Sequence, residues 1–336
     1  MPRKLASVRT VSDLRPIVGA DLIELAVVDG WQCVVKKGEF RPGDRCVYLE
    51  IDSVLPIRPE YEFLRKSCYR KAEWLPGGEG FQIKTVKLRG QISQGLALPT
   101  GAVGSLDAVA AAEGEDLTEA LGVVLWEPPM NLPANAKGKF PPFIPKTDQE
   151  RAQNCLRKLA KTHSDHVFEA TLKLDGLSCT IFVKDGFVRV CSRNLELDME
   201  QAGNALVDMA HKVAPALLSC GRNLAFQGEL MGPGIQGNRE GFTEFRWFVF
   251  DVWDIDAQCY LPSLERSALV SGLGLEHVPR LAMFDAAAKS LDDLLERSNS
   301  QASVHHAVAE GIVYKSIQDP SVSFKVVANR FLLAEA

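Results

Sequence analysis

Short apolar runs separated by glycine and aspartate turns fill the first 125 residues. Leu22–Val28, Cys33–Val35 and Cys46–Ile51 are such runs, and Gly30 lies in the turn between the first two. Runs of this length, bounded by turn residues, predict β-strands. We therefore expect an all-β domain over residues 1–125. An OB-like barrel is the leading candidate, and another small β-barrel is the alternative.

The next stretch, residues 126–146, is rich in proline. Its prolines are Pro128, Pro129, Pro133, Pro141, Pro142 and Pro145. Because proline fixes φ and removes a backbone donor, this stretch is predicted to be an ordered linker and not a long helix. Thr147–Glu150 then fits a capping box, and apolar residues at helical spacing run from Ala152 to Leu159. A helix is thus predicted to open a second domain, residues 147–336.

The second domain mixes strand and helix patterns without strict alternation. Helical spacing between Met199 and Val213 predicts an amphipathic helix, and Phe242–Val252 is a strong strand signal. Ser263 is expected to cap a helix over Leu264–Leu269. The irregular order indicates an α+β domain with antiparallel sheets.

Composition adds constraints on partners and location. No apolar run in the 336 residues reaches the 18 that a membrane span needs, and the N-terminus lacks the apolar core of a signal peptide. The eight cysteines form no Cys-x-x-Cys pair, which favours a reducing, cytoplasmic setting without structural zinc. The net charge of −5 leaves nucleic-acid binding open, because a local basic face is sufficient.

Such a basic face is indicated between residues 65 and 89. The basic residues are Arg65, Lys66, Arg70, Lys71, Lys84, Lys87 and Arg89, and the interleaved aromatics are Tyr69, Trp74 and Phe81. Basic side chains can follow phosphates and aromatic rings can stack on bases, so Lys84, Lys87 and Arg89 are candidate nucleic-acid-binding residues. The alternative is a solvated loop whose aromatics belong to the core.

The stretch Phe168–Val183 carries the main candidate chemistry. Apolar, β-branched and small residues flank Lys173 and Asp175, which predicts two strands joined by a tight turn at Gly176. A lysine nucleophile must lose its proton, which costs roughly 4 kcal/mol near pH 7 for an unperturbed amine. Burial and nearby cations reduce that cost. Alone, the turn is also compatible with an ordinary surface loop.

Five further segments follow this turn in order. They are Cys191–Asn194, Phe226–Leu230, Phe248–Val252, Glu310–Lys315 and Ser323–Val327. Together with Lys173–Gly176 the series resembles the covalent nucleotidyltransferases, which comprise ATP-dependent DNA and RNA ligases and mRNA capping enzymes. The resemblance implies an α+β nucleotidyltransferase domain of the ATP-grasp-like ligase type.

The same resemblance implies roles for individual residues. Lys173 is the nucleophile that attacks the α-phosphorus of ATP. Asp175, Glu229 and Glu310 are implied to hold Mg²⁺ or Mn²⁺ through water, because hard oxygen ligands suit these ions. Nucleotide contacts are implied for a larger set, which consists of Arg193, Glu229, Phe250, Lys315 and Lys325. Phe248, on the same strand face as Phe250, is an alternative stacking residue. Arg151, beside the predicted helix N-terminus, is placed to meet an anion.

The domain order narrows the resemblance to the fifth family of RNA ligases, which join an N-terminal OB domain to a minimal catalytic domain. Eleven residues follow Lys325, too few for a C-terminal OB domain. Further matches are Ile144–Asp148, Gly232–Asn238 and Asn329–Leu332. The chain departs at Leu172, where many RNA ligases have glutamate, and at Val327, where some have a second lysine.

The implied activity is ATP-dependent RNA ligation through a lysyl-AMP intermediate. AMP passes from Lys173 to a 5′-phosphate, and an RNA 3′-OH then displaces it, with a nick in duplex nucleic acid as the expected substrate and repair as the expected role. The alternatives are a ligase-like nucleic-acid-binding protein without chemistry and a capping-type guanylyltransferase. The intact lysine, aspartate and carboxylates oppose the first alternative, and the position of the β-barrel opposes the second.

Overall fold

The computed structural model describes residues 3–104, 108, 110–128 and 136–335. The chain forms two compact units, Met1–Met130 with Leu332–Ala336, and Asn131–Phe331. Within the described residues no helix is both long and apolar enough to cross a membrane.

The first unit is built from short strands, as the run lengths predict. They are β1 (Ala6–Pro16), β2 (Ile23–Val28), β3 (Trp31–Lys36), β4 (Arg45–Leu49), β5 (Ser53–Leu55), β6 (Tyr69–Lys71), β7 (Glu79–Gln82), β8 (Thr85–Leu88), β9 (Gln91–Gln94), β10 (Leu96–Pro99) and β11 (Val124–Leu125), with helix α1 (Arg65–Cys68) before β6. One antiparallel sheet has the order β10-β4-β1-β2-β3, a second has β11-β5-β7-β6, and β8 pairs with β9.

Strand β1 explains how the first sheet curls. Its first half, Ala6–Thr10, pairs with β4, while the part from Val11 onward pairs with β2, and a register shift separates Val11 from Asp13. A bulge of this kind bends a strand and increases its twist. Strand β1 can therefore pair with β4 along its first half and with β2 along its second half, and the sheet curls around it. The result is the OB-like half-barrel that the sequence predicts.

The second unit carries two larger sheets and most of the helices. Its strands are β12 (Ala136–Lys139), β13 (Glu150–Arg151), β14 (Phe168–Lys173), β15 (Leu177–Lys184), β16 (Phe187–Cys191), β17 (Leu195–Leu197), β18 (Leu224–Met231), β19 (Arg246–Asp254), β20 (Cys259–Tyr260), β21 (Glu276–His277), β22 (Arg280–Phe284), β23 (Gly311–Ser316) and β24 (Ser323–Val327). Its helices are α2 (Ala152–Thr162), α3 (Ala205–Leu218), α4 (Ser263–Gly272), α5 (Leu291–Ser300) and α6 (Asn329–Glu335), whose last residues group with the first unit.

These strands form an eight-stranded and a five-stranded sheet. The first has the order β12-β17-β16-β15-β18-β19-β20, with β21 beside β19, and the second has β13-β24-β23-β14-β22. Pairing is antiparallel except for β13 with β24 and β19 with β21. Helix α3 packs on the eight-stranded sheet, while α2 and α5 pack on the five-stranded one. The predicted α+β domain with antiparallel sheets is therefore present.

The stretch predicted as a linker is divided between the units: the Trp126 N–H donates to the Asp52 carbonyl in the first unit, and residues 136–146 belong to the second. Ala136–Lys139 pairs with β17, and Ile144 is buried against Phe182. Pro129 and Pro133 lie outside the described residues.

The three predicted helices are present, but two of the predicted caps and one predicted start are wrong. Helix α2 begins at Ala152 without a side-chain cap, because Glu150 and Arg151 are held extended by pairing with β24. Helix α3 begins only at Ala205, after Met199, because the side chain of Asn204 accepts from the Leu206 N–H.

The predicted cap of α4 also fails. The helix begins at Ser263 after Pro262, and the Ser263 hydroxyl donates to Glu169 Oε1 at 2.8 Å. The polar residue at the start of this helix therefore makes a tertiary contact and does not cap the helix.

Candidate active site

The turn after Lys173 carries the chain from one sheet of the second unit to the other. Lys173 ends β14 in the five-stranded sheet, and β15 starts four residues later in the eight-stranded sheet. A Cβ on Gly176 would lie 2.5 Å from the Leu230 carbonyl oxygen and 3.0 Å from Glu229 Cγ. Only glycine fits this approach, so the turn is held tightly against β18 as the sequence predicts.

The Lys173 amine is ion-paired at the end of its strand. Its Nζ donates to Glu310 Oε2 at 2.6 Å, and the two side chains are 23% and 16% exposed. The pairing follows from register, because Lys173 lies opposite Gly311, the residue after Glu310. The Glu310 carbonyl in turn accepts from the Ala328 N–H. The Lys173 amine and the Glu310 carboxylate thus form one partly accessible ion pair.

Glu229 is joined to the same turn from β18. Its Oε1 accepts from the Gly176 N–H at 3.0 Å. Burial raises the pKa of Glu229 to about 7; the Lys173 charge opposes this rise, while Glu310 and Asp175 add to it. Glu229 is therefore a partly buried carboxyl whose charge the protein alone does not fully compensate.

Lys325 brings positive charge to the same place. Burial first, and then the charges of Lys173 and Arg151, lower its pKa to about 8, whereas Asp148 and Glu310 act in the opposite direction. Arg151 is its register partner, since β13 runs parallel to β24. Three cations predicted from separate segments are thus brought together, and such a cluster attracts a polyphosphate.

Arg193 lies on the exposed turn after β16. Its Nη2 pairs with Asp148 Oδ1 at 2.6 Å, and the side chains are 66% and 56% exposed. Beside it, the Lys146 amine donates to Asn194 Oδ1 at 3.0 Å. An ion pair this exposed is weak and readily exchanged, so Arg193 remains available to an anion.

The structure places Lys315 differently from the other predicted phosphate ligands. Its side chain is only 8% exposed, and its amine pairs with Asp251 and lies 3.5 Å from the Phe250 carbonyl oxygen. Burial lowers the pKa of Lys315, and the Asp251 charge opposes that change. The amine is occupied by protein groups in this structure, so a phosphate contact requires it to exchange partners.

Behind Lys315 lies a buried ionic chain that the sequence reasoning missed. Arg266 Nη1 lies 3.6 Å from Asp251 Oδ1, and Arg266 also pairs with Glu169, both with side chains at most 2% exposed. Isolated charges inside apolar strand runs, such as Asp251 in Phe248–Val252 and Glu169 in β14, are the signal that points to such a chain. Buried charges of this kind need partners to be tolerated.

The two candidate stacking rings differ in burial. Phe248 is 3% exposed and packs with Leu172, Leu174 and Phe242. Phe250 is only partly buried at the margin of the same cluster. Phe250 therefore stays the candidate for stacking on a base, and Phe248 is a core residue.

The predicted metal residues supply oxygen donors only. Within the described residues no three acidic, histidine or cysteine side chains are gathered closely enough to hold a metal ion directly. Asp175, Glu229 and Glu310 nevertheless fit a hard divalent cation held partly through water, because the partly buried Glu229 carboxyl would gain a compensating charge.

In the first unit the three candidate nucleic-acid-binding residues lie at the β8–β9 hairpin. Lys84, Lys87 and Arg89 are exposed, and the Lys87 amine donates to the Leu333 carbonyl at 3.1 Å. Val86 and Leu88, between them, are also exposed at 40% and 42%. The hairpin therefore presents charge together with apolar surface.

The aromatics predicted to stack on bases are instead used internally. Phe81 is fully buried, and Arg65 lies 5.0 Å from the Tyr69 ring centroid. The Trp74 and Trp126 rings lie edge to face at 5.0 Å. Each ring thus packs on a protein group in this structure, which favours the alternative that these aromatics are structural.

Comparison with known proteins identifies both units. A family model described as an OB-fold domain matches residues 5–100, and one described as RNA ligase matches residues 166–327. A search of curated proteins returns no match.

Solved structures extend the comparison over the whole chain. A mutant of Naegleria gruberi RNA ligase with AMP and Mn matches with a TM-score of 0.81, 40% identity and coverage of 98% of each chain. Another mutant of that ligase, with ATP and Mn, gives the same values, and the ligase with PPi gives a TM-score of 0.80 at 40% identity and the same coverage. The chain therefore belongs to the RNA ligase family, with the N-terminal OB domain and the α+β ligase domain that its sequence predicts.

Proposed function

We propose that this RNA ligase is ATP-dependent and works through a lysyl-AMP intermediate on Lys173. The observation that carries the proposal is the convergence of four side chains on one turn: Lys173, Glu229 and Lys325 from three strands, and Glu310 from the residue before β23. The Naegleria ligase structures with ATP, AMP and PPi support it, because ATP is the substrate of adenylyl transfer to a lysine, pyrophosphate is its leaving group and AMP is the group transferred.

In the first step the Lys173 nitrogen attacks the α-phosphorus of ATP. A P–N bond forms, the bond to the β-phosphate oxygen breaks, pyrophosphate leaves and the amine loses a proton. Lys173 must first part from Glu310, because an amine that shares its proton with a carboxylate has no free lone pair. Lys325 lies close to Lys173, and Arg151 is its partner on the neighbouring strand, so both cations are placed to receive the phosphates.

Asp175, Glu229 and Glu310 would hold a divalent ion at this point. When bound, Mg²⁺ or Mn²⁺ supplies positive charge that neutralises the reacting phosphate oxygens. The carboxylate of Glu310 then has a partner other than the Lys173 ammonium. Glu229, already bonded to the Gly176 N–H, keeps the turn closed during the exchange.

The remaining steps take place on the nucleic acid. AMP passes from Lys173 to a 5′-phosphate, with formation of a phosphoanhydride and release of the amine. The 3′-OH of an RNA strand then attacks the activated phosphate and displaces AMP. A nick in a duplex presents both ends together, and we propose such a nick, with RNA on the 3′-OH side, as the substrate in repair.

Labelled nucleotides separate this proposal from its alternatives. Incubation with ATP or GTP, followed by denaturing electrophoresis, is expected to label the protein with AMP and not with GMP. Transfer of GMP would indicate the capping-type reaction. Absence of any adduct would indicate a ligase-like binding protein. Sealing of matched nicks with RNA or DNA 3′ ends then tests the proposed substrate.

The raised pKa of Glu229 predicts that metal binding depends on pH. A carboxyl with a folded-state pKa of about 7, above its usual value, keeps a proton that the unfolded chain has lost. Its contribution to stability therefore falls as pH rises through about 7, when the buried charge appears. Mn²⁺ binds only the charged form, so its affinity should rise about tenfold per pH unit below that pKa.

The measurement is the increase in melting temperature on Mn²⁺ titration, at pH values on both sides of 7. Glu229→Gln keeps the shape of the side chain and removes its titration. This variant should bind Mn²⁺ more weakly and with little dependence on pH. An equal pH dependence in the variant and the parent protein would show that another group is responsible.

The exposed hairpin predicts that the first unit contributes to nick binding and the second unit to lysyl-AMP formation. Glutamate at positions Lys84, Lys87 and Arg89 should weaken nick binding and reduce its salt dependence by about one ion per lost phosphate contact. Lysyl-AMP formation should be unchanged, since the reacting groups all lie in the second unit. Nick affinity at two salt concentrations gives the answer.

Two controls sharpen this test. Lys84→Glu with Arg89→Glu leaves the Lys87–Leu333 hydrogen bond in place and separates loss of charge from loss of that contact. Charge reversal at Lys36 and Lys37, which are exposed elsewhere in the same unit, should have little effect. If the hairpin variants bind like the parent protein, the hairpin does not contact the nucleic acid.

A further inference from the structure

Glu240 is a buried carboxylate outside the residues assigned so far. It is 7% exposed, and its carboxylate collects three donors from a single loop. The Ser303 hydroxyl donates to Oε1, while the backbone N–H groups of His305 and His306 donate to Oε2 at 2.5 and 3.1 Å. The Glu240 carbonyl oxygen also lies 3.0 Å from His305 Nδ1. A carboxylate that receives several protein donors fixes the loop that supplies them.

The loop that Glu240 holds leads directly to Glu310. The Ala309 N–H donates to the Gln301 carbonyl at 2.9 Å, which closes the loop at its end. Ala309 is fully buried and packs in one cluster with Leu172 and Leu174, the neighbours of Lys173. The loop therefore sets the backbone on which Glu310 faces Lys173.

Glu240 itself lies in the loop that follows β18, the strand that carries Glu229. Asn238 shapes this loop, since its side chain accepts from the Phe242 N–H at 3.1 Å and donates to the Phe242 carbonyl at 2.9 Å. The Phe242 ring then packs 5.1 Å from the His305 ring. Asn238, the last residue of the sequence match Gly232–Asn238, thus orders the backbone around Glu240.

We propose that Glu240 is a positioning residue for the adenylylation site. By tying the loop after Glu229 to the loop before Glu310, it keeps both carboxylates in register with Lys173. This inference rests on the proposed function, because it concerns the carboxylates that would hold the divalent ion. Displacement of a reacting group by about 1 Å can cost on the order of 10²-fold in rate.

The hydrogen-bond pattern makes the proposal testable with an isosteric variant. In Glu240→Gln the amide oxygen can accept from the His305 and His306 N–H groups, and the amide nitrogen can donate to the Ser303 hydroxyl, which rotates to accept. The negative charge is lost but every contact has a partner. Glu240→Ala removes all three contacts. Glu240→Asp keeps the charge, but its side chain is one methylene too short to reach both the Ser303 hydroxyl and the two backbone N–H groups.

The experiment compares the three variants in two measurements. These are the rate of Lys173 adenylylation across a Mn²⁺ titration and the Mn²⁺-dependent rise in melting temperature. Glu240→Ala should lower the rate at least about tenfold and require several-fold more Mn²⁺ in both measurements. Glu240→Asp should show a smaller effect in the same direction, and Glu240→Gln should behave nearly like the parent protein.

Glu50→Ala is a matched control. Glu50 is 2% exposed in the first unit, where it accepts from Arg3 at 2.6 Å, so its loss should lower stability without changing the Mn²⁺ requirement. If Glu240→Ala does not fold, the Asp and Gln variants decide the question. Parent-like metal requirement in Glu240→Asp, or a Gln variant as impaired as a folded Ala variant, would overturn the proposal. Absence of lysyl-AMP in the parent protein would instead refute the proposed function.

Discussion

Replacement of Lys173 with alanine should abolish covalent transfer of AMP to the protein. The amine at the end of β14 is the nucleophile in the proposed mechanism, and the structure places it beside Glu310 and near Lys325. Sealing of a nick that already carries a 5′-adenylate should be at least partly retained, because the later steps do not use this amine. Labelled ATP and a pre-adenylylated nick measure the two activities separately.

Lys184→Ala is a suitable control for this experiment. Lys184 ends β15, where its amine pairs with the exposed neighbour Asp185 and lies 5.9 Å from the centre of the Phe143 ring, so its loss should affect neither activity. Undiminished lysyl-AMP in Lys173→Ala would show that another residue is the nucleophile. Equal loss of adenylylation and of sealing would indicate that Lys173 supports the fold of the site and does not act as nucleophile alone.

Removal of the site carboxylates should have the next largest effect. Alanine at Asp175, Glu229 or Glu310 should each reduce adenylylation by about 10²-fold or more, the scale for loss of one preorganised electrostatic group. For Glu310 the loss has two parts, because the variant also frees the Lys173 amine from its 2.6 Å partner. Binding of the divalent ion should weaken while the amine becomes less restrained.

A Mg²⁺ and Mn²⁺ titration of each variant separates these parts. Weakened metal binding is corrected by more metal, whereas loss of an electrostatic group lowers the maximal rate. Glu265→Ala, at a half-exposed carboxylate that pairs with Arg222, is the control and should be neutral. If all three site variants keep near-normal rates across the titration, the three carboxylates do not hold the ion.

Much of this site can be predicted from the sequence because its parts lie in local patterns. Lys173 and Gly176 lie between two apolar runs, and the close approach to Leu230 shows why glycine is needed there. Glu310 and Lys325 lie at a strand start and within a strand, where apolar neighbours fix their positions. Strand register then brings these residues together without further information.

Other features depend on contacts that no local pattern contains. The run Thr147–Glu150 has a capping-box spacing, but pairing with β24 is stronger and keeps the chain extended up to Ala152. The burial of Lys315 with Asp251 and Arg266 joins three separate elements. Glu240 likewise finds its donors more than sixty residues away. Such tertiary pairing determines whether a charged residue is buried and which partner it has.

The most direct test of the central claim is to locate the nucleotide on the protein. The parent protein is incubated with ATP and a divalent ion and digested, and the modified peptide is sequenced by mass spectrometry. The account predicts a single AMP adduct on the nitrogen of Lys173, formed with release of pyrophosphate and lost on addition of a 5′-phosphorylated nick. An adduct on another residue, or none under conditions where nicks are sealed, would contradict it.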